Sequence, residues 1–236
     1  MSEESSKTVT RRARRTVWGC LRIFSVMLLL LFAAFRALIF YEREPIRQTN
    51  LVEQSRTINL LLFQYANDHD GKYPEGRSST EVFQKLIDGG YIPEPGTGEV
   101  DREVGPNIFY FPMPGKVKPV SKTLKPENVC WDVTCCLDAT APDETPVVYI
   151  TGYKVNYRTE GNAVPEKWPA RTWWGWLTAA DYPRGFIVTT YKSNSSHLLE
   201  AAPDGSIPHF ITPPDREGAS FQPLPYHQLT PDGSLP

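Results

Sequence analysis

The feature that most constrains this chain is an apolar run near its start. From Val17 to Tyr41 the sequence reads VWGCLRIFSVMLLLLFAAFRALIFY, without a charge between Ile23 and Phe35. A helix needs about 20 apolar residues to cross a bilayer, so the run is long enough to span one. Arg22 and Arg36 bracket its middle, fourteen positions apart. At ~1.5 Å per residue they sit about 21 Å apart along a helix, near enough to opposite faces of a ~30 Å core for both to snorkel. The competing reading, a helix buried in a soluble core, would leave two arginines to hide. Lys7, Arg11, Arg12, Arg14 and Arg15 precede the run, whereas Glu42 and Glu44 offset Arg43 and Arg47 after it. The positive-inside rule then puts the N-terminus in the cytoplasm. Cleavage as a signal peptide is not expected, because Ala33-Ala34-Phe35-Arg36-Ala37 places Phe or Arg where a small residue is required. The expected order is a basic cytoplasmic tail over 1–16, a single transmembrane helix over 17–41 with the lipid bilayer as its partner, an extracytoplasmic or periplasmic domain over 42–211, and a Pro-rich tail over 212–236. The expected compartment is the cytoplasmic (inner) membrane.

Beyond the run, Glu44-Pro45 is expected to interrupt or kink the helix. A second helical stretch follows over Asn50–Asn67. There Leu51, Ile58, Leu62 and Tyr65 form an apolar seam widened by Leu61 and Ala66, and Glu53, Arg56, Asn59 and Gln64 stay polar. Gly71 suits a helix C-cap and Pro74 a stop. Asp68 and Asp70 do not make a calcium loop, since aligning Gly71 with the glycine of an EF-hand puts Ala66 and Arg77 at ligand positions. Ser78-Ser79-Thr80-Glu81 is a capping box ahead of Val82, Phe83, Leu86 and Ile87, and Gly89-Gly90 closes that short amphipathic helix.

Strand patterns follow at 107–113, 128–137, 147–157, 185–192, 197–201 and 207–211, the last two flanking the turn Pro203-Asp204-Gly205-Ser206. Asn194-Ser195-Ser196 marks an exposed turn. The 22 prolines argue against a helical bundle. Fold class is therefore α+β, a membrane helix continuing into an amphipathic helix on a small antiparallel sheet. The tail from Thr212 has little to bury and is expected to be irregular and loosely docked.

A net charge of -2 offers no field for nucleic acid. His69, His197, His209 and His227 fall in no catalytic pattern, and no P-loop or nucleophile elbow is present, so no catalytic, cofactor or metal residue is expected. Asp143, Glu144, Asp181 and Asp204 read as solvated loop carboxylates; only their convergence with a histidine in one pocket would point to an extracytoplasmic hydrolase. Cys130, Cys135 and Cys136 read as small core residues, with a local disulfide from Cys130 to Cys135 or Cys136 as the alternative. A metal site there ranks lower, because no histidine is near in sequence. Trp168, Trp173, Trp174 and Trp176 crowd nine positions around Arg171. Indole faces stack on sugars and cations, so these four are the candidate partner-binding surface. An envelope module for carbohydrate or peptidoglycan would use them so, the alternative being that they fill or cover the core.

The element order resembles type IV pilins and type II secretion pseudopilins. The wording of residues 59–74, NLLLFQYANDHDGKYP, then Ser79-Thr80-Glu81-Val82-Phe83, Gly90-Tyr91-Ile92-Pro93 and the phrase PDGSIPHF at 203–210, is similar to pilin-like proteins of planctomycetes and verrucomicrobia. The resemblance implies a structural or interaction protein of the cell envelope, with other pilin-like or secretion-system subunits as partners. It departs from the family where Gly19 is followed by Cys20-Leu21-Arg22-Ile23-Phe24 instead of the prepilin cleavage motif. The helix is therefore expected to keep its basic tail.

Overall fold

The computed structural model describes residues 3–92, 105–113, 115–157, 161–165, 186–202, 204–208, 210–211 and 226–233. Side chains are described at Trp18, from Leu21 to Arg36, and from Gln48 onward within those ranges, Phe186 excepted. The chain divides into two compact units, Met1–Arg47 and Gln48–Pro236.

Helix α1 is one element, Glu3–Asp68. It passes through Pro45, where an interruption was expected: a proline removes one hydrogen bond of the ladder, and the turns on either side keep theirs. In the first unit the large apolar side chains from Leu21 to Phe35 are all exposed, from Phe32 at 53% to Leu31 at 70%. Among the described residues, no helix is long and apolar enough to cross a membrane.

In the second unit α1 buries Leu51, Ile58, Leu61, Leu62 and Ala66. Ser55 and Asn59 lie fully buried on the same side, which corrects the placement of Asn59 among the solvated residues. Both are answered by hydrogen bonds: the Thr190 hydroxyl donates to Ser55 Oγ at 2.8 Å, and Asn59 Nδ2 donates to the Tyr191 carbonyl at 3.3 Å and Asn194 Oδ1 at 3.1 Å. Tyr65 lies at the edge of the seam, half-buried, packed against the core and stacked on His69 with ring centres 3.8 Å apart. The helix ends as its residues dictate. Gly71, at φ 80, donates its N–H to the Ala66 carbonyl at 2.8 Å, a left-handed cap that glycine reaches without strain.

Helix α2 (Ser79–Asp88) starts where the Ser78 hydroxyl accepts from Glu81 N at 3.2 Å. Glu81 reaches back one residue further than a capping box requires, to Arg77 N at 2.8 Å. Val82, Phe83 and Leu86 are buried, and Phe83 stacks on Phe109 at 4.3 Å.

Among the described residues the unit also holds seven short strands: β1 (Trp131–Thr134), β2 (Pro146–Ile150), β3 (Tyr153–Val155), β4 (Ala163–Pro165), β5 (Phe186–Tyr191), β6 (Ser196–Glu200) and β7 (Gln228–Leu229). Five of them form an antiparallel sheet in the order β6-β5-β2-β1-β7, and β3 and β4 pair separately. The fold is α+β with an antiparallel sheet. The cross-strand row Val133, Val148, Thr190 turns toward α1, as the Thr190–Ser55 hydrogen bond requires. The alternate row Asp132, Tyr149, Thr189 faces away from it, with Phe210 edge-on to Tyr149 at 5.4 Å.

Two strand expectations and one for the tail change. Residues 107–113 begin with a 3-10 turn, Pro106–Phe109, which proline at its first position favours. Gln54 Nε2 holds this turn and its exit against α1 by donating to the Ile108 and Tyr110 carbonyls at 2.6 and 2.9 Å. The turn after β6 forms, with Gly205 N on the Ala202 carbonyl at 2.8 Å, but Ile207 makes only a bridge to Ala163. Pro208 has no N–H with which to extend it. Residues 226–233, expected to be loosely docked, contribute β7 and bind α2: Ser79 N donates to the Thr230 carbonyl at 3.0 Å, and the Thr80 hydroxyl to the Pro231 carbonyl at 2.6 Å. The second unit therefore extends past the expected boundary at 211.

Candidate functional site

The chemistry of the second unit gathers at the end of β1. Neighbouring side chains on an extended strand point to opposite faces, so two adjacent cysteines should diverge. They do not, because the strand stops at Thr134 and Cys136 takes φ 63, the left-handed region that costs a non-glycine residue energy. Cys135 Sγ and Cys136 Sγ then lie 3.0 Å apart. Cys135 is buried and Cys136 exposed.

His227 joins them from the residue before β7. Its carbonyl accepts from Cys135 N at 2.8 Å, and its Nδ1 stands 4.0 Å from Cys136 Sγ. Among the described residues this is the one group of three metal-ligating side chains, with donor atoms all within 4.8 Å. Burial pushes the Cys135 thiol up to about 12, reinforced by the hydrogen-bonded Cys136 sulfur and, more weakly, by the Glu75 carboxylate. The thiol is therefore neutral unless a cation or an oxidant claims it.

Cys130 is a different kind of cysteine. Its S–H donates to the Phe111 carbonyl at 3.1 Å and its sulfur accepts from Phe111 N at 3.2 Å. Burial pushes this thiol too up to about 12. The alternative of a local disulfide to Cys135 or Cys136 is not formed: all three thiols are free, and Cys130 and Cys135 are buried as core residues. Strand β1 lies between them, and five extended steps of ~3.4 Å separate the Cα atoms by about 17 Å, against the roughly 4.4–6.8 Å that a disulfide spans.

A buried polar network underlies β1. The carboxylate of Asp132, fully buried, accepts from Gln228 Nε2 at 2.6 Å, and the same amide donates to the Tyr153 carbonyl at 2.6 Å while its oxygen accepts from Val155 N at 3.0 Å. Tyr157 bridges Thr134 at 2.7 Å and Tyr149 at 2.9 Å. Burial raises both phenols, leaving them neutral. A buried network of this kind fixes side chains in place and specifies the packing.

Among the described residues the other candidates do not converge. Asp204 accepts from the Ser206 hydroxyl and amide at 2.6 and 3.0 Å, bonds that lower its carboxyl below the usual range in an exposed turn. His197 sits edge-on to Tyr191 at 5.6 Å. Asp181, His209 and the expected partner surface of Trp168, Trp173, Trp174 and Trp176 lie outside the described residues. Sequence reading missed His227 as a partner of the cysteines, since it stands 91 positions from Cys136 and a two-residue strand is its only carrier. Compared with protein-family models, with curated proteins and with solved structures, the chain has no match.

Proposed function

We propose that this is a membrane-anchored, non-enzymatic, pilin-like protein of the bacterial envelope, displaying its second unit outside the inner membrane to other envelope components. The observation that carries the reading is the apolar surface of α1 between Ile23 and Phe35, uncharged and exposed throughout. Leaving such side chains in water forgoes about 1.5–3 kcal/mol each, and a helix apolar all round belongs inside a protein or a bilayer. Described side chains stop at Arg36, short of the Val17–Tyr41 run, so the flanks that complete a span of about 20 residues fall outside them. The second unit supports the pilin-like part, because a helix laying one stripe on an antiparallel sheet is the arrangement that the resemblance implies.

Protease added to intact spheroplasts tests it. The expected result is a full-length, uncleaved protein in the membrane fraction whose second unit is digested from outside. A soluble product beginning after the apolar run, or a second unit that resists until the cells are lysed, overturns the reading.

A further inference from the structure

We propose that Cys135, Cys136 and His227 bind one thiophilic d10 cation, zinc(II) or copper(I), through two thiolates and one imidazole nitrogen. The proposal does not depend on the anchoring reading.

Three observations bring it forward. The donors come from two segments locked together in the backbone, since Cys135 N bonds the His227 carbonyl and Val133 pairs with Leu229. The ligands are thus placed by the sheet instead of by a free loop. The donor set is also selective, because two sulfurs and an imidazole suit soft or borderline cations, while calcium and magnesium require oxygen. Finally, the spacing is near what a metal would set. Zinc–sulfur bonds of ~2.3 Å in a tetrahedron put two sulfurs about 3.7 Å apart. The present separation is 3.0 Å, and Cys136 Sγ to His227 Nδ1 is 4.0 Å, so rotation of exposed side chains accommodates the ion without moving the sheet.

Loading exchanges two thiol protons for the cation, the protons passing to solvent. Cys135 lies at the buried end, while Cys136 and His227 lie at the surface. A three-ligand site of this kind leaves a coordination position facing outward, where water or a donor atom from another molecule completes the shell.

The test uses the full-length chain in detergent, reduced with a phosphine and stripped of metal. Cobalt(II), the spectroscopic stand-in for zinc, is expected to give a thiolate charge-transfer band and tetrahedral visible bands saturating at one ion per chain and bleached by zinc. In a parallel arm copper(I) is drawn from a coloured chelator, and the tighter arm identifies the cation. C136S and H227Q, both at surface positions, are expected to weaken binding by at least about tenfold, the loss that even an outer-shell partner causes, while keeping the near-UV circular dichroism of the parent. C130A, remote from the cluster, keeps the band. Binding unchanged in C136S and H227Q overturns the proposal, as does the absence of a thiolate band with either cation. A Cys135–Cys136 disulfide that survives the reductant and excludes metal overturns it in favour of a redox pair.

Discussion

Two stretches of α1 carry similar apolar residues and meet different surroundings. Between Ile23 and Phe35 leucine, phenylalanine and isoleucine circle the helix with Ser25 as the one polar break, and all are exposed. Between Leu51 and Ala66 the apolar residues keep to one stripe, while Leu60 and Phe63 on the other side stay 51% and 56% exposed. The second stretch also carries Ser55 and Asn59 inside its contact, where hydrogen bonds to β5 and the turn after it fix the helix in one register. Total hydrophobicity already separates these stretches, since Ser25 is the one polar residue between Ile23 and Phe35, whereas Glu53, Gln54, Ser55, Arg56, Thr57, Asn59 and Gln64 fall in the second. Its angular distribution, with polar atoms that need particular partners, separates them further.

The largest expected effect uses alkali to part the two. Burial raises the phenols of Tyr153 and Tyr191 from 10.0 to about 12 and the thiol of Cys130 from 9.0 to about 12. These groups bind protons more tightly when folded, so their stabilisation is complete below about pH 9 and is lost as pH climbs through about 12. Near-UV circular dichroism of the full-length protein in detergent should vanish over that interval while helical far-UV signal from the first stretch persists. Simultaneous loss of both signals would erase the distinction.

Ile58→Ala should destabilise the second unit by about 2–5 kcal/mol in urea, the range for emptying a packed aliphatic site. Leu29→Arg should leave that unfolding curve in place but reduce membrane insertion, at a cost of about 2.5–3.5 kcal/mol at a helix centre; fractionation of the cells reads it. Asn59→Ala should cost about 1–3 kcal/mol, because it abandons buried carbonyl partners. The smallest effect belongs to Leu29→Ala, expected within about 0.5 kcal/mol of the parent in the same urea experiment. A cost there equal to that of Ile58→Ala would mean the first stretch packs against protein.

What sequence reading caught was local. Ser78 as a cap, Gly71 as a stop and the Leu51, Ile58, Leu62 stripe depend on neighbours within a turn or two, and the structure carries each of them. β1 and β5 fell inside expected segments, and β2 and β6 overlapped theirs while starting one residue earlier, because β-branched and aromatic residues cluster there. What escaped depended on distant pairing. Asn59 looks solvated until Tyr191 and Asn194 are known to face it, and Gln228-Leu229 is too short to show alternation. The candidate site was half legible for the same reason: adjacent cysteines are visible in any reading, whereas His227 becomes their neighbour only through β7.

The late position of β7 also sets an order in time. Asp132 and the Gln228 amide that binds its carboxylate are 96 positions apart. A nascent chain that has emerged only as far as β6 therefore holds β1 as an open sheet edge with a carboxylate still awaiting its amide, a state that invites pairing with the wrong strand. Completion comes with residues 226–233, which close the edge, bring the Gln228 amide to Asp132 and tie down the start of α2 together. A chaperone for the unfinished sheet is therefore most useful just before this segment arrives.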